Sequence, residues 1–115
     1  MDIKKTNAGN IVISEEVIEK IAMTAALDVV GVVGCVERTL NIESMLKTKK
    51  VTKACVAIVK DDQYVIDIYL KVAEGVQLSE LAKNVQKNIK EAVQNMTENV
   101  VTKINVHICE VDLKK

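Results

Sequence analysis

Apolar residues recur along this chain with two periods, one helical and one of two residues. Ile11-Val12-Ile13 reads as a short strand that stops at Ser14. Ser14 suits a helix N-cap, and Glu15 and Glu16 occupy the first turn, where the helix dipole favours negative charge. Val17, Ile18, Ile21, Ala22 and Ala25 follow helical spacing, which predicts a first helix to about Asp28. Val29 to Val36 is β-branched and broken by Gly31 and Gly34, the pattern of a helix exit followed by a short strand or turn. Residues 37–53 are polar. Leu40, Ile42, Met45 and Leu46 suggest a short helix there, and Lys47, Lys49, Lys50 and Lys53 make it the one basic stretch. It is expected to form a flexible basic loop, and residues 1–9 an N-terminal tail.

From Ala54 the period changes to two. Val56 and Ile58 alternate with Cys55, Ala57 and Val59, and Asp61-Asp62-Gln63 makes a tight connection. Ile66, Ile68, Leu70 and Val72 then face one side of a strand, with Asp67, Tyr69 and Lys71 on the other, so the pair reads as a hairpin with one buried face. Gly75 ends that strand, Ser79 is placed to cap a second helix, and Leu81, Ala82, Val85, Ile89, Ala92, Val93 and Met96 give it a continuous apolar stripe. A last strand runs from about Val100 to Val111, with Ile104, Val106 and Ile108 inward. The order β-α-β-β-α-β predicts one α+β domain over residues 1–115, with two layers: two main helices packed on one face of a small mixed β-sheet. The connection through the second helix is a βαβ crossover, expected to be right-handed.

Composition narrows the function. There is no Phe or Trp, so Tyr64 and Tyr69 are the aromatic side chains available for stacking on a base or sugar. Sixteen basic and sixteen acidic residues give a formal net charge of zero, without the basic excess of a dedicated nucleic-acid binder. Cys35, Cys55 and Cys109 are an odd, widely spaced set with no CxxC pair, which points to reducing cytosol and not to a disulfide framework. No signal pattern opens the chain, and its longest nearly apolar segment, Ala25 to Val36, is interrupted by Asp28 and is too short to span a bilayer. Asn95-Met96-Thr97 fits a glycosylation sequon that has no meaning in the cytosol.

Four candidate chemistries follow. His107 and Cys109, two apart on a strand, share a face and would need Cys35 or Cys55 to hold Zn²⁺; small buried cysteines explain the set more simply. A Cys–His pair would suit covalent catalysis, but no serine elbow, HExxH or phosphate loop accompanies it. Gly31-Val32-Val33-Gly34 matches the GxxG loop that clamps nucleic-acid backbones, but its central residues are both Val and its closest basic residue is Arg38; the Lys47–Lys53 cluster adds some positive charge. Glycines closing a helix explain that pattern more cheaply. The outer side of the central strand, with Val65, Asp67, Tyr69 and Lys71, and the accessible sheet edges suit a protein interface.

Three blocks carry a family resemblance. The first is Val12-Ile13-Ser14, Glu16-Val17-Ile18, Ile21-Ala22, Ala25-Ala26 and Val30-Gly31-Val32. The second is Ile66-Asp67-Ile68-Tyr69, Gly75-Val76, Val85-Gln86-Lys87-Asn88-Ile89, Ala92-Val93 and Asn95-Met96-Thr97. The third is Ile104-Asn105-Val106-His107-Ile108. In this order, from about residue 9 to residue 111, they resemble the alkaline shock protein family, envelope-stress-response proteins of Gram-positive bacteria. Glu110 and Ala54 stand where that family commonly has glycine. The resemblance implies an α+β domain, a cytoplasmic location, no enzymatic chemistry and a role in envelope homeostasis or stress. It also implies membrane association, in some members, through a membrane-anchored partner. It supplies no catalytic, cofactor-binding or metal-ligating residues, and none is assigned. The expected function is that of a non-enzymatic structural or interaction protein that binds itself, as a homo-oligomer, or a membrane-anchored partner without inserting into the membrane. The alternative is a small nucleic-acid-binding domain using the Gly31–Gly34 turn and the Lys47–Lys53 loop.

Overall fold

A computed structural model of the chain describes residues 3–5, 11–43, 48–60, 63–97 and 101–113. Strand β1 (Ile3–Lys5) pairs antiparallel with β2 (Ile11–Ile13). Ser14 then caps α1 (Glu15–Leu27) as its sequence predicts, its Oγ accepting from the Val17 N–H at 3.3 Å. After β3 (Val32–Cys35) come β4 (Arg38–Glu43) and β5 (Thr48–Lys53), then β6 (Cys55–Lys60), β7 (Gln63–Ala73), α2 (Leu78–Thr97) and β8 (Val101–Asp112).

Both helices cover one face of a mixed sheet, the predicted two-layer α+β arrangement. Alternate residues of β7 (Ile66, Ile68, Leu70, Val72) point at Ile18, Ala22 and Ala26 of α1 and at Leu81, Val85, Ile89 and Val93 of α2. None of these is more than 3% exposed. At about 25 cal/mol per Å² of apolar surface removed from water, this layer is the main stabilising contact of the molecule.

Strand β7 is the axis of the sheet. Along one edge β8 runs parallel to it from Gln63↔Val101 to Ala73↔Asp112, with a bulge at Cys109. The other edge is shared by two antiparallel strands placed end to end, β3 opposite Leu70 to Val72 and β6 opposite Gln63 to Ile68. Tyr69 sits at the joint. Its carbonyl accepts from the Val36 N–H at 2.8 Å and its N–H donates to the Ala54 carbonyl at 2.9 Å. The edge is thus one line of strand, interrupted where the chain leaves the sheet and returns.

The excursion corrects three sequence expectations. The described residues of the expected basic loop are strands. Arg38–Glu43 and Thr48–Lys53 form an antiparallel hairpin, β4–β5, paired from Arg38↔Lys53 to Glu43↔Thr48. Leu40, Ile42, Met45 and Leu46 are too few for a helical stripe, whereas Thr39, Ile42, Val51 and Thr52 are β-branched and each strand satisfies the other's backbone groups. The N-terminal tail includes a paired strand, with Ile3 opposite Ile13. Helix α2 starts at Leu78, one residue before the cap expected at Ser79. Met45, Leu46, Lys47, Asp61 and Asp62 lie outside the described residues.

Candidate functional site

The sheet face opposite the helices carries no helix among the described residues, and Asp67, Tyr69 and His107 gather there. The β7–β8 register puts Tyr69 opposite His107. Their rings stack with centroids 4.6 Å apart and planes 15° from parallel. One strand pair along, Asp67 Oδ1 lies 3.0 Å from His107 Nε2. Because the chain leaves the sheet beside Tyr69, β4 begins over that ring, and the Arg38 guanidinium carbon sits 5.8 Å from its centroid. Arg38 Nη1 also donates to Cys109 Sγ at 3.7 Å, on the β8 bulge. A guanidinium over a phenol is worth about 0.5–1 kcal/mol at such an exposed site. Burial raises the Tyr69 hydroxyl pKa; Asp67 adds to the rise and Arg38 opposes it.

Within this cluster the polar side chains are engaged with one another. The imidazole Nε2 is engaged by Asp67, and Cys109 meets the His107 main-chain carbonyl (4.0 Å) and not its ring. Covalent catalysis needs nucleophile and base in direct contact, and the Cys109–His107 pair is not arranged that way.

The remaining sequence candidates are dispersed. Cys55 is 2% exposed in the core and Cys35 packs against that core, so the sheet separates both from His107 and Cys109. Among the described residues no three His, Cys, Asp or Glu side chains are grouped to hold a metal ion. The Gly31–Gly34 pair is divided: Gly31 turns the chain after α1, and Gly34 pairs with Lys71 inside β3. Gly31 holds φ +103°, and a Cβ there would meet Leu81 Cδ1 at 2.8 Å, so glycine is required for the close approach of α2. Of the basic cluster, Lys53 is paired within the fold, its Nζ 2.9 Å from Glu19 Oε1. Lys47 and the side chains of Lys49 and Lys50 lie outside the described residues.

Two acids of α1 bond to the sheet edge: Glu15, read from sequence only as a first-turn residue, and Glu19, which the sequence reading did not single out. Glu19 Oε2 accepts from the Ala57 N–H and Glu15 Oε2 from the Val59 N–H, each at 3.0 Å. One helical turn rises about 6 Å over four residues and two strand residues about 6.7 Å, so two carboxylates on α1 match two outward amides on β6. The sequence signal was Glu19 itself, a carboxylate at helical spacing with Ala22 and Ala26. A recess of about 610 Å³ also opens between α1 and α2, lined by Val17, Ile21, Ala25, Ala92 and Met96. No helix among the described residues is long and apolar enough to cross a membrane.

Comparison with known proteins agrees with the three-block resemblance. The uncharacterized protein YqhY of Bacillus subtilis (strain 168) is 38% identical over 116 residues, covering 94% of this chain and 81% of YqhY. The uncharacterized protein YloU of the same organism is 30% identical over 107 residues, covering 90% and 89%. Among solved structures, the copper form of MamM CTD matches with a TM-score of 0.47 and 14% identity, over 87% of this chain and 91% of that one. A family profile matches residues 3–113, nearly the whole chain, and on that match the chain belongs to the alkaline shock protein 23 family, whose function is cell envelope-related.

Proposed function

We propose that this chain serves the cell envelope by contact and not by chemistry. It acts as a non-enzymatic cytoplasmic domain that associates with further copies of itself and reaches the membrane by docking on an anchored partner. The observation that carries this reading is the helix-free sheet face. It presents a stacked Arg38–Tyr69–His107 surface and, farther along the same face, the exposed Ile58, while Asp67 pairs with His107. Aromatic residues and arginine are the side chains that anchor protein interfaces most often. A formal net charge of zero also leaves little self-repulsion to overcome.

Sedimentation velocity over a range of protein concentrations tests the reading, with and without a single-stranded oligonucleotide. A mass that rises with concentration and is indifferent to the oligonucleotide is the expected outcome. A monomer at every concentration, or oligonucleotide binding that weakens steeply with salt, overturns it; the second result favours the nucleic-acid alternative.

A further inference from the structure

The two edges of the main sheet are treated differently. On β6 the outward amides of Ala57 and Val59 are taken by Glu19 and Glu15. Main-chain groups alternate between the two sides of a strand. With Ala57 and Val59 facing outward, their antiparallel partners Ile66 and Tyr64 face β8. The residues of β8 that answer them are Lys103, Asn105 and His107, and the main-chain groups of Ile104, Val106 and Ile108 therefore face away from the sheet. The contact from Gln86 Nε2 to the Ile104 carbonyl, 3.0 Å, agrees with that orientation. Strand β8 is twelve residues long and contains no proline. Val106 and Ile108 on its helix side are only partly covered, although they pack against the core. A long edge of this kind is a template for strand addition.

We propose that the β8 edge is where a second copy of this chain docks, β8 against β8 in antiparallel register, so that two sheets become one. The proposal rests on the self-association argued above and supplies its surface. Charge selects the register. Outward residues pair with outward residues, so the choice is which of them faces Ile104 of the other copy. Ile104 against Ile108, with Val106 on the two-fold axis, brings Lys103 opposite the Cys109–Glu110 bulge, twice. Ile104 against Val106 puts Lys103 opposite His107, and Ile104 against Ile104 puts it opposite Asn105, with no acid in reach. The favoured register also gives the longest overlap and covers Val106 and Ile108 with Val106 and Ile104 of the other copy. Gln86 gives up the Ile104 carbonyl to a main-chain amide of the other copy.

Lys103 and Glu110 are both exposed, so reversing their charges leaves the core untouched. The test is sedimentation equilibrium on the wild type, Lys103→Glu, Glu110→Lys and the double reversal, with circular dichroism to confirm folding. Each single reversal places like charges opposite one another at two symmetric positions, and the dissociation constant is expected to rise on the order of tenfold. The double reversal restores both pairs and returns it to within about threefold of wild type. Single variants that associate as the wild type does overturn the edge proposal and leave self-association standing. Weakened singles that the double variant does not rescue overturn the direct Lys103–Glu110 pairing, and the register with it. A wild type that is monomeric throughout removes the edge proposal and the broader reading together.

Discussion

Glu19 is a carboxylate on an otherwise apolar helix face, 7% exposed, and it persists there because Lys53 Nζ and the Ala57 N–H both bond to it. Removing it strands a half-buried ammonium and a buried amide at once. Glu19→Ala is expected to cost about 2–3 kcal/mol, while the exposed Glu15→Ala costs under about 1 kcal/mol. Urea midpoints at unchanged m-value measure both. Cys55 lies on the same side of the sheet, and burial, reinforced by the Glu19 charge, pushes its thiol up to about 12. The unfolded chain ionises this thiol near its ordinary value of 9.0. Between these values the unfolded state releases a proton that the folded state keeps. The Cys55 contribution is thus fully present below pH 9 and is lost as pH rises toward 12, with a slope of up to about 1.4 kcal/mol per pH unit. Denaturation across alkaline pH is expected to show a shallower fall for Cys55→Ala than for the wild type. In the native protein a thiol reagent is expected to titrate Cys109 readily and leave Cys55 unmodified until denaturant is added.

At the scale of elements, the parts that touch the core were legible and the parts that do not were obscure. Ile66 to Val72 announce β7 by alternation, and Leu81 to Val93 announce α2 by helical spacing, because burial on one side imposes a period on the sequence. The β4–β5 hairpin pairs strand with strand outside the main sheet, so no burial period marks it, and Leu40 and Ile42 read as well for a helix turn as for a strand. Asp67, Tyr69 and His107 were correctly placed on outer faces. Their union depended on β8 lying next to β7, which spacing within a strand does not encode. Arg38 and the Glu15–Glu19 pair act through neighbours more than thirty residues away, and of these contacts only the carboxylate of Glu19 on the apolar stripe of α1 left a local trace. The hairpin enters and leaves the sheet on either side of the Tyr69 backbone. Replacing residues 38–53 with a two- or three-residue turn is therefore expected to leave β3, β6 and both helices in place. Circular dichroism and a single cooperative thermal transition check this, with a lowered Tm for the lost Lys53–Glu19 pair. Loss of cooperativity would show that the hairpin is integral to the sheet.

For the molecule as a whole, the radius of gyration is 15.0 Å with extents of 55 × 32 × 23 Å. A compact domain of this length is expected near 13 Å, so the chain is extended relative to a sphere. The order of the main sheet sets how the chain is made. Strands β3, β6 and β8 all pair with β7 and with no other strand of that sheet. On the ribosome, residues up to Lys60 emerge before residues 63–73, so β3 and β6 have no main-sheet partner to hydrogen-bond to until β7 follows. Strands β3 and β6 must therefore wait, unpaired in the main sheet, for a strand that follows them in the sequence. Strand β8 follows β7 in the chain, so the edge proposed to receive a second copy is not formed until residues 101–112 have joined β7.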